Sequence, residues 1–447
     1  MAASLRRIAA NTGWLLGGKA VGALLSLFYL ALATQTLGIE GFGHFALILG
    51  IGQTVTGFVT FQTWQLVVRY GMPLLERNDG PALDRLIGFA MMLDMMSALA
   101  GSLIAVGAVS LFAPHFGWSA RLQAEACLFC LALLLSIRST PIGILRLHDR
   151  YARAAMADAV TPIVRLLGAL LATTVFPSVT GFLAAWAVAE VATAAAYWRA
   201  AARVQPIPMP GTALPRSGAP LAELWRFAWT SNASATLALS TRQVTLLITG
   251  LIGGPAVAGG YRLAAQLAQA LAKFTASLSR AIFPELIRGH GTGPGEFRRL
   301  AGRITAWAML SGAAIVALTA LAGRPILHAI AGPEFDSAAR PILLLAIAAA
   351  VDLAGVAYEP MLTTHGRLGL ALSLRTVSTM AQLGALLLLL PMLGALGAAW
   401  ATLIGSILTV GLGGVAAWRL VRDAQPANGH RPPSRSNADS PDPANRA

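Results

Sequence analysis

The feature that most constrains this chain is a series of apolar runs, each about 20 residues long, separated by short segments that carry most of the charge. A run of that length is what an α-helix needs to cross about 30 Å of hydrocarbon. The runs fall at about 12–33, 44–67, 87–113, 124–144, 156–176, 181–198, 227–252, 257–279, 301–322, 339–359, 371–391 and 394–418. Stretches such as 383-LGALLLLL-390 lack the alternation of a barrel strand. With backbone groups in lipid paired only within helices or closed barrels, the expectation is an all-α polytopic membrane protein of about 12 transmembrane helices. At 12% charged residues the chain carries about half the charge of a soluble domain. An ordinary soluble enzyme, a nucleic-acid-binding protein and a disordered chain are therefore disfavoured.

The formal net charge of +14 does not revive a nucleic-acid partner, because the basic residues sit at span ends. With the N-terminus inside, 24 of the 33 fall on the cytoplasmic side and three (Arg121, Arg324, Arg340) on the other. That bias sets the orientation, with both termini cytoplasmic, and permits some attraction to anionic membrane lipids. Arg6-Arg7 followed by an apolar run imitates a signal peptide, but Lys19 in mid-segment suits a retained helix better. Cys127 and Cys130 form a C-x-x-C inside the fourth span, without the further ligands a metal or redox site needs, and read as small buried residues. No cofactor, metal or catalytic residue is expected.

The interruption 199-RAAARVQPIPMPGTALPRSGAPLAELW-225, with five prolines, reads as a cytoplasmic linker between an N-terminal six-helix lobe (1–198) and a C-terminal one (226–424). The tail, 425–447, is disordered by composition. The segments 38-GIEGFGHFAL-47 and 254-GPAVAGGYRL-263 align without gaps, pairing Gly38 with Gly254, Gly43 with Gly259, Phe45 with Tyr261 and Leu47 with Leu263. Each follows the first span of its half, so the lobes are expected to be parallel copies, meeting at a central cavity as transporter repeats do.

The six remaining cations, Lys19, Arg165, Arg242, Arg262, Lys273 and Arg375, lie at membrane depth, where an ionisable group is expensive unless it meets water or a partner. The eighth span arranges Arg262, Gln266, Gln269, Lys273, Ser277 and Arg280 in one stripe on an Ala/Leu helix. Such a stripe is either a fully paired polar seam or the wall of a water-filled cationic cavity, and the second is the expectation. Lys19, Arg242, Arg262 and Lys273 are its substrate-binding cations, with Gln266, Gln269, Ser277 and Arg375 as further polar positions. Lys19 shares its face with Ser26 and Tyr29, and Gly18-x-x-x-Gly22 permits close approach to a neighbour. Asp158 and Arg165, seven residues apart, are expected partners; Asp94 and Asp352 are candidates for binding the H+ or Na+ that drives transport. The glycine-rich 289-GHGTGPGEF-297 lacks a following Lys-Ser/Thr and a preceding strand, so it reads as a loop.

The segments 11-NTGWLLGGKAVGALLSLFYLALATQTLGIEGFGHFAL-47, 61-FQTWQLVVRYG-71 and 283-FPEL-286 resemble the polysaccharide transporter (O-antigen flippase) family, of the superfamily that includes multidrug and toxin extruders. The resemblance implies a bacterial inner-membrane flippase that moves an undecaprenyl-diphosphate-linked glycan between leaflets by alternating access, with polysaccharide assembly proteins as candidate partners. It puts cations on the first, seventh and eighth helices, where Lys19, Arg242, Arg262 and Lys273 fall. A cation-coupled multidrug extruder is the alternative, though it would want cavity carboxylates. A membrane glycosyltransferase or polymerase would be expected to have a sizeable extracytoplasmic loop, and the loops on that side are short.

Overall fold

The structure, a computed structural model, describes residues 2–208, 221–287, 294–355, 358, 362 and 368–423; within these, the side chains of 2–21, Ala23, Leu221, 231–240, 271–287, 294–305, Leu368, Trp418 and 420–423 are not described. No strand occurs among the described residues. The helices are α1 (Ala2–Val59), α2 (Thr63–Glu76), α3 (Gly80–Phe112), α4 (Ala120–Leu135), α5 (Ser139–Leu147), α6 (Tyr151–Val175), α7 (Val179–Ala202), α8 (Leu221–Ile287), α9 (Pro294–Ala331), α10 (Ala339–Ala354), α11 (Leu368–Leu393) and α12 (Ala395–Asp423), with a short 3-10 turn at Pro333–Ala338. The expected linker is helical over its first residues, to Ala202; its middle and the tail from 424 lie outside the described residues.

Ten segments among the described residues are long and apolar enough to cross a membrane. Eight coincide with single expected spans. The other two, Leu24–Glu76 and Thr241–Ala270, each reach across two of them. The reason is a pair of glycines: α1 and α8 are each two helices meeting at a turn, Gly38 (φ 66°, ψ −178°) and Gly254 (φ 83°, ψ 173°). That backbone region is essentially closed to residues with a Cβ. The exterior is what lipid requires, with Leu103 77% and Leu321 81% exposed; such apolar surface would be a liability in water.

Helices α1–α7 pack mainly among themselves, and α8–α12 likewise. The two sets meet chiefly where α1 runs along α8. At that crossing a methyl on Gly43 would overlap the Pro255 carbonyl, and one on Gly259 would lie 2.6 Å from the Ile39 oxygen. The aligned segments thus touch reciprocally: 43 meets 255, and 39 meets 259, its aligned counterparts exchanged. Thr34 Oγ1 donates to the Ile330 carbonyl at 3.2 Å and Gln35 Nε2 to the same oxygen at 3.1 Å, extending this contact to α9.

One apolar core surrounds the crossing, with Tyr29, Phe42, Phe45, Phe182, Trp186 and Phe335 in edge-on or tilted ring contacts 5.5 to 6.4 Å apart. A second gathers α2, α3, α5 and α7 around the opening turns of α8. There Phe61 meets Trp229, Tyr70 meets Phe227 and Phe89 meets Trp225, all edge-on.

Among the described residues, two expected spans are interrupted. The second breaks at residues 60–62, between α1 and α2, and the fourth at 136–138, between α4 and α5. Apolar composition runs through both breaks, so hydropathy does not mark them.

Candidate functional site

The described part of the polar stripe, Arg262, Gln266 and Gln269, lies on the second arm of α8, where Arg262 reaches α1. Arg262, half-buried, donates from Nη1 to Gln243 Oε1 at 3.3 Å and from Nη2 to Gln53 Oε1 at 3.4 Å. Gln243 Nε2 in turn donates to Gln53 Oε1 at 2.8 Å. Gln53 belongs to α1 and Gln243 to the first arm of α8, so one guanidinium joins three helical arms across the meeting of the two helix sets. Among the described residues its Nε is buried without a partner, and so is Gln266 Oε1 one turn further on. Arg242 is exposed and donates to Gln269 Oε1 at 3.4 Å.

Of the expected cavity residues, the structure therefore brings Arg242, Arg262, Gln266 and Gln269 onto one side of α8. Arg375, on α11, is half-buried, and its charge together with that of Arg242 acts on Asp352 of α10, whose carboxylate also meets the Ser406 hydroxyl. The side chains of Lys19, Lys273 and Ser277 lie outside the described residues, as does that of Arg280. Gly22 packs against α6, where a methyl would stand 3.5 Å from Pro162 Cγ.

The expected Asp158–Arg165 pair does not form. Two turns of helix separate those positions by about 10 Å, too far for an ion pair. Arg165 instead pairs with Glu190 of α7 and lies over the Trp186 ring, 3.6 Å from its centroid. Arg138 holds the other Glu190 oxygen at 3.1 Å, and Trp186 Nε1 donates to the first at 3.2 Å. Asp158 accepts from Tyr197 Oη at 2.6 Å. Glu190, 2% exposed, is thus a buried carboxylate saturated by two arginines and an indole. A small cleft opens beside it, lined by Tyr29, Phe45, Arg165, Phe182 and Trp186.

Asp94, 4% exposed, has a different setting. Its Oδ1 accepts from Thr63 Oγ1 at 2.8 Å, and its Oδ2 from the Thr140 N–H at 3.0 Å and Thr140 Oγ1 at 2.7 Å. Thr63 opens α2 and Thr140 is the second residue of α5, so both interrupted spans are tied to α3 at this carboxylate. Cys130 is buried, Cys127 half-buried, and both are free thiols. Gln53, Gln243, Thr63 and Thr140 escaped the sequence reading. Neutral side chains in apolar runs carry no charge signal; only their partners across helices reveal them.

A bundle of membrane-crossing helices in two sets, joined at a glycine crossing and a polar seam, is a polytopic membrane protein whose polar groups are gathered inside. Residues 8–290 match the polysaccharide biosynthesis protein family, and the chain belongs to it. It is 28% identical over 293 residues to the inner membrane protein YghQ of Escherichia coli strain K12, an alignment that covers 64% of this chain and 81% of the relative. Its fold is similar to the lipid II flippase MurJ in an inward closed conformation (TM-score 0.67, 11% identity, 90% of this chain and 87% of that one). It is equally similar to an inward-facing multidrug resistance MATE transporter of the MOP superfamily (TM-score 0.66, 16% identity, 89% and 95%).

Proposed function

We propose that this protein is a flippase of the bacterial inner membrane that carries an undecaprenyl-diphosphate-linked oligosaccharide from the cytoplasmic to the periplasmic leaflet by alternating access, for lipopolysaccharide or exopolysaccharide synthesis. The family match, the inner-membrane relative and the flippase-like fold support this reading. The observation that carries it is the Arg262 seam: a cation with an unpartnered buried N–H, beside an unpartnered buried amide oxygen, where the two helix sets meet. A diphosphate leaving water must exchange its hydration for fixed donors, and guanidinium groups supply them in the right geometry.

In this reading, residues 1–198 and 226–424 are two lobes that rock about the α1–α8 contact, 199–225 is a cytoplasmic linker, and both termini are cytoplasmic. Lys19, Arg242, Arg262 and Lys273 meet the diphosphate, while Gln266, Gln269, Ser277 and Arg375 line its path. H+ or Na+ supplies the driving force, bound at Asp94 or Asp352. The protein performs no chemistry on the sugar, and works beside polysaccharide assembly proteins.

The test is leaflet-to-leaflet transfer of lipid-linked sugar in cells or in proteoliposomes. Arg262→Ala or Lys273→Ala is expected to abolish transfer with protein levels unchanged. Parental transfer by the double variant would remove the cavity assignment. Drug efflux without lipid-linked sugar transfer would favour the extruder instead.

A further inference from the structure

The two interrupted spans break at one level, and one carboxylate closes both breaks. Beyond the three bonds to Asp94, Ser139 Oγ accepts from the Trp64 N–H at 3.2 Å and donates to the Phe61 carbonyl at 3.4 Å. Trp198 Nε1 donates to the Ile137 carbonyl at 2.8 Å. The backbone groups that the breaks release are thus satisfied from neighbouring helices, as a membrane interior demands. The short helices beyond the breaks, α2 and α5, lie against each other: a methyl on Gly143 would stand 2.9 Å from Trp64 Cα, and Arg146 sits 4.1 Å from the Trp64 ring centroid. On its other side α2 rests on the opening of α8, where the Phe61–Trp229 and Tyr70–Phe227 contacts are joined by a 3.0 Å hydrogen bond from Tyr70 Oη to Glu223, and Phe89 of α3 adds its contact with Trp225.

We propose that Asp94 is the coupling-ion site, that its ion is a proton, and that protonation frees α2 and α5 to swing as one flap away from α8. This deepens the transport reading above and rests on it. The carboxylate accepts from three donors at once. Adding a proton forms one O–H bond and breaks no covalent bond, but it turns one of the two oxygens into a donor. On Oδ1 it faces the Thr63 hydroxyl, which must then reverse from donor to acceptor; on Oδ2 it faces two donors, one a backbone N–H that cannot reverse. Either way the link between the breaks and α3 weakens.

The charges on the surrounding elements leave Asp94 to these donors. On α5, Arg138 is held by Glu190 of α7, and Arg146 lies over Trp64. Arg69 of α2 lies over Phe227, 4.9 Å from its centroid. On α4, Cys130 points to α1, with Sγ 3.5 Å from where a methyl on Gly52 would stand. The stretch of α1 from Val55 to Val59 has no ionisable residue. Asp84 and Arg85 lie more than two turns away along α3, and Asp84 accepts from Gln205 at 3.0 Å. Among the described residues, the groups that act on Asp94 are Thr63 and Thr140.

The test measures distance and needs no substrate. Spin labels on Arg77→Cys, just past α2, and Ala222→Cys, at the start of α8, are introduced into the full chain with Cys127 and Cys130 replaced by Ala. Distances are read in lipid nanodiscs across a pH series. A longer-distance population is expected to grow as the pH falls. Asp94→Asn, which fixes one donor and one acceptor in place of the carboxylate, should show that population at every pH. Thr63→Val removes one hydrogen bond to the charged form and should raise the transition midpoint by about one pH unit. A parent that does not respond to pH, or an Asp94→Asn variant that responds as the parent does, overturns the proposal. Should Asp94→Asn not accumulate, an unmoved midpoint in Thr63→Val overturns it equally. A pH-driven flap in a protein that transfers no lipid-linked sugar would count against the substrate alone; transfer with a flap indifferent to pH would count against Asp94 alone.

Discussion

Arginine serves two purposes in this protein, and its partner distinguishes them. Arg165 is locked: Glu190 neutralises it, Trp186 covers its face, and Arg138 closes the carboxylate from the other side. Removing Glu190 would strand two guanidinium groups in the membrane, a change that costs about 3–5 kcal/mol in buried ion pairs. Glu190→Ala should therefore lower the thermal midpoint of the detergent-solubilised protein by several degrees. Arg138→Ala should lower it less, since that side chain is already 38% exposed. Among the described residues Arg262 is bound by neutral amides, so Arg262→Ala is expected to spare the thermal midpoint while removing transfer. His148, between α5 and α6, gives a pH signature. Burial pushes its imidazole below the usual histidine range. The folded state then binds fewer protons than the unfolded one, so stability is present at neutral pH and lost as the pH falls through that range. His148→Gln should flatten this part of the stability curve in thermal scans from neutral to mildly acidic pH.

At the scale of elements, glycine decides where helices turn and how near they come. A methyl on Gly254 would have nothing within 4 Å, so Gly254→Ala tests backbone conformation alone; a strained φ/ψ of this kind costs about 1–3 kcal/mol. Gly43→Ala tests approach, because its methyl would meet the Pro255 backbone, which has no rotamer with which to yield. Overpacking of this sort costs about 1–3 kcal/mol or more. Both should reduce the yield of folded protein measured by size-exclusion chromatography, while Gly107→Ala, in open space on α3, should not. The alignment of 38–47 with 254–263 marks the matched glycines without any geometry, because two turns of the same shape demand the same residue. The breaks at 60–62 and 136–138 are not legible in this way. Hydropathy averages over a window, and three-residue breaks whose Phe61 and Ile137 carbonyls are satisfied by Ser139 and Trp198 leave that average intact.

For the whole molecule, composition is the most informative property. An apolar supply in runs of membrane length leaves a helical membrane protein as the one economical outcome, and ten such segments are present among the described residues. The cationic stripe on α8 is legible because charge in an apolar run is conspicuous; its amide partners on α1 and α8 are not, since their role exists only after folding. Proximity in sequence matches Asp158 with Arg165, whereas the molecule satisfies each from α7. The reciprocal crossing of 43 with 255 and 39 with 259 carries one more consequence. A contact that exchanges equivalent positions is the contact two identical halves would make as a symmetric pair. In the two-lobe arrangement proposed above, residues 199–225 would be a tether that holds one half at about millimolar effective concentration around the other. A chain cut between Gln205 and Leu221 and expressed as two pieces should find the same partner by diffusion in the plane of the membrane, and recovery of both pieces in one complex by affinity tag on either would show it.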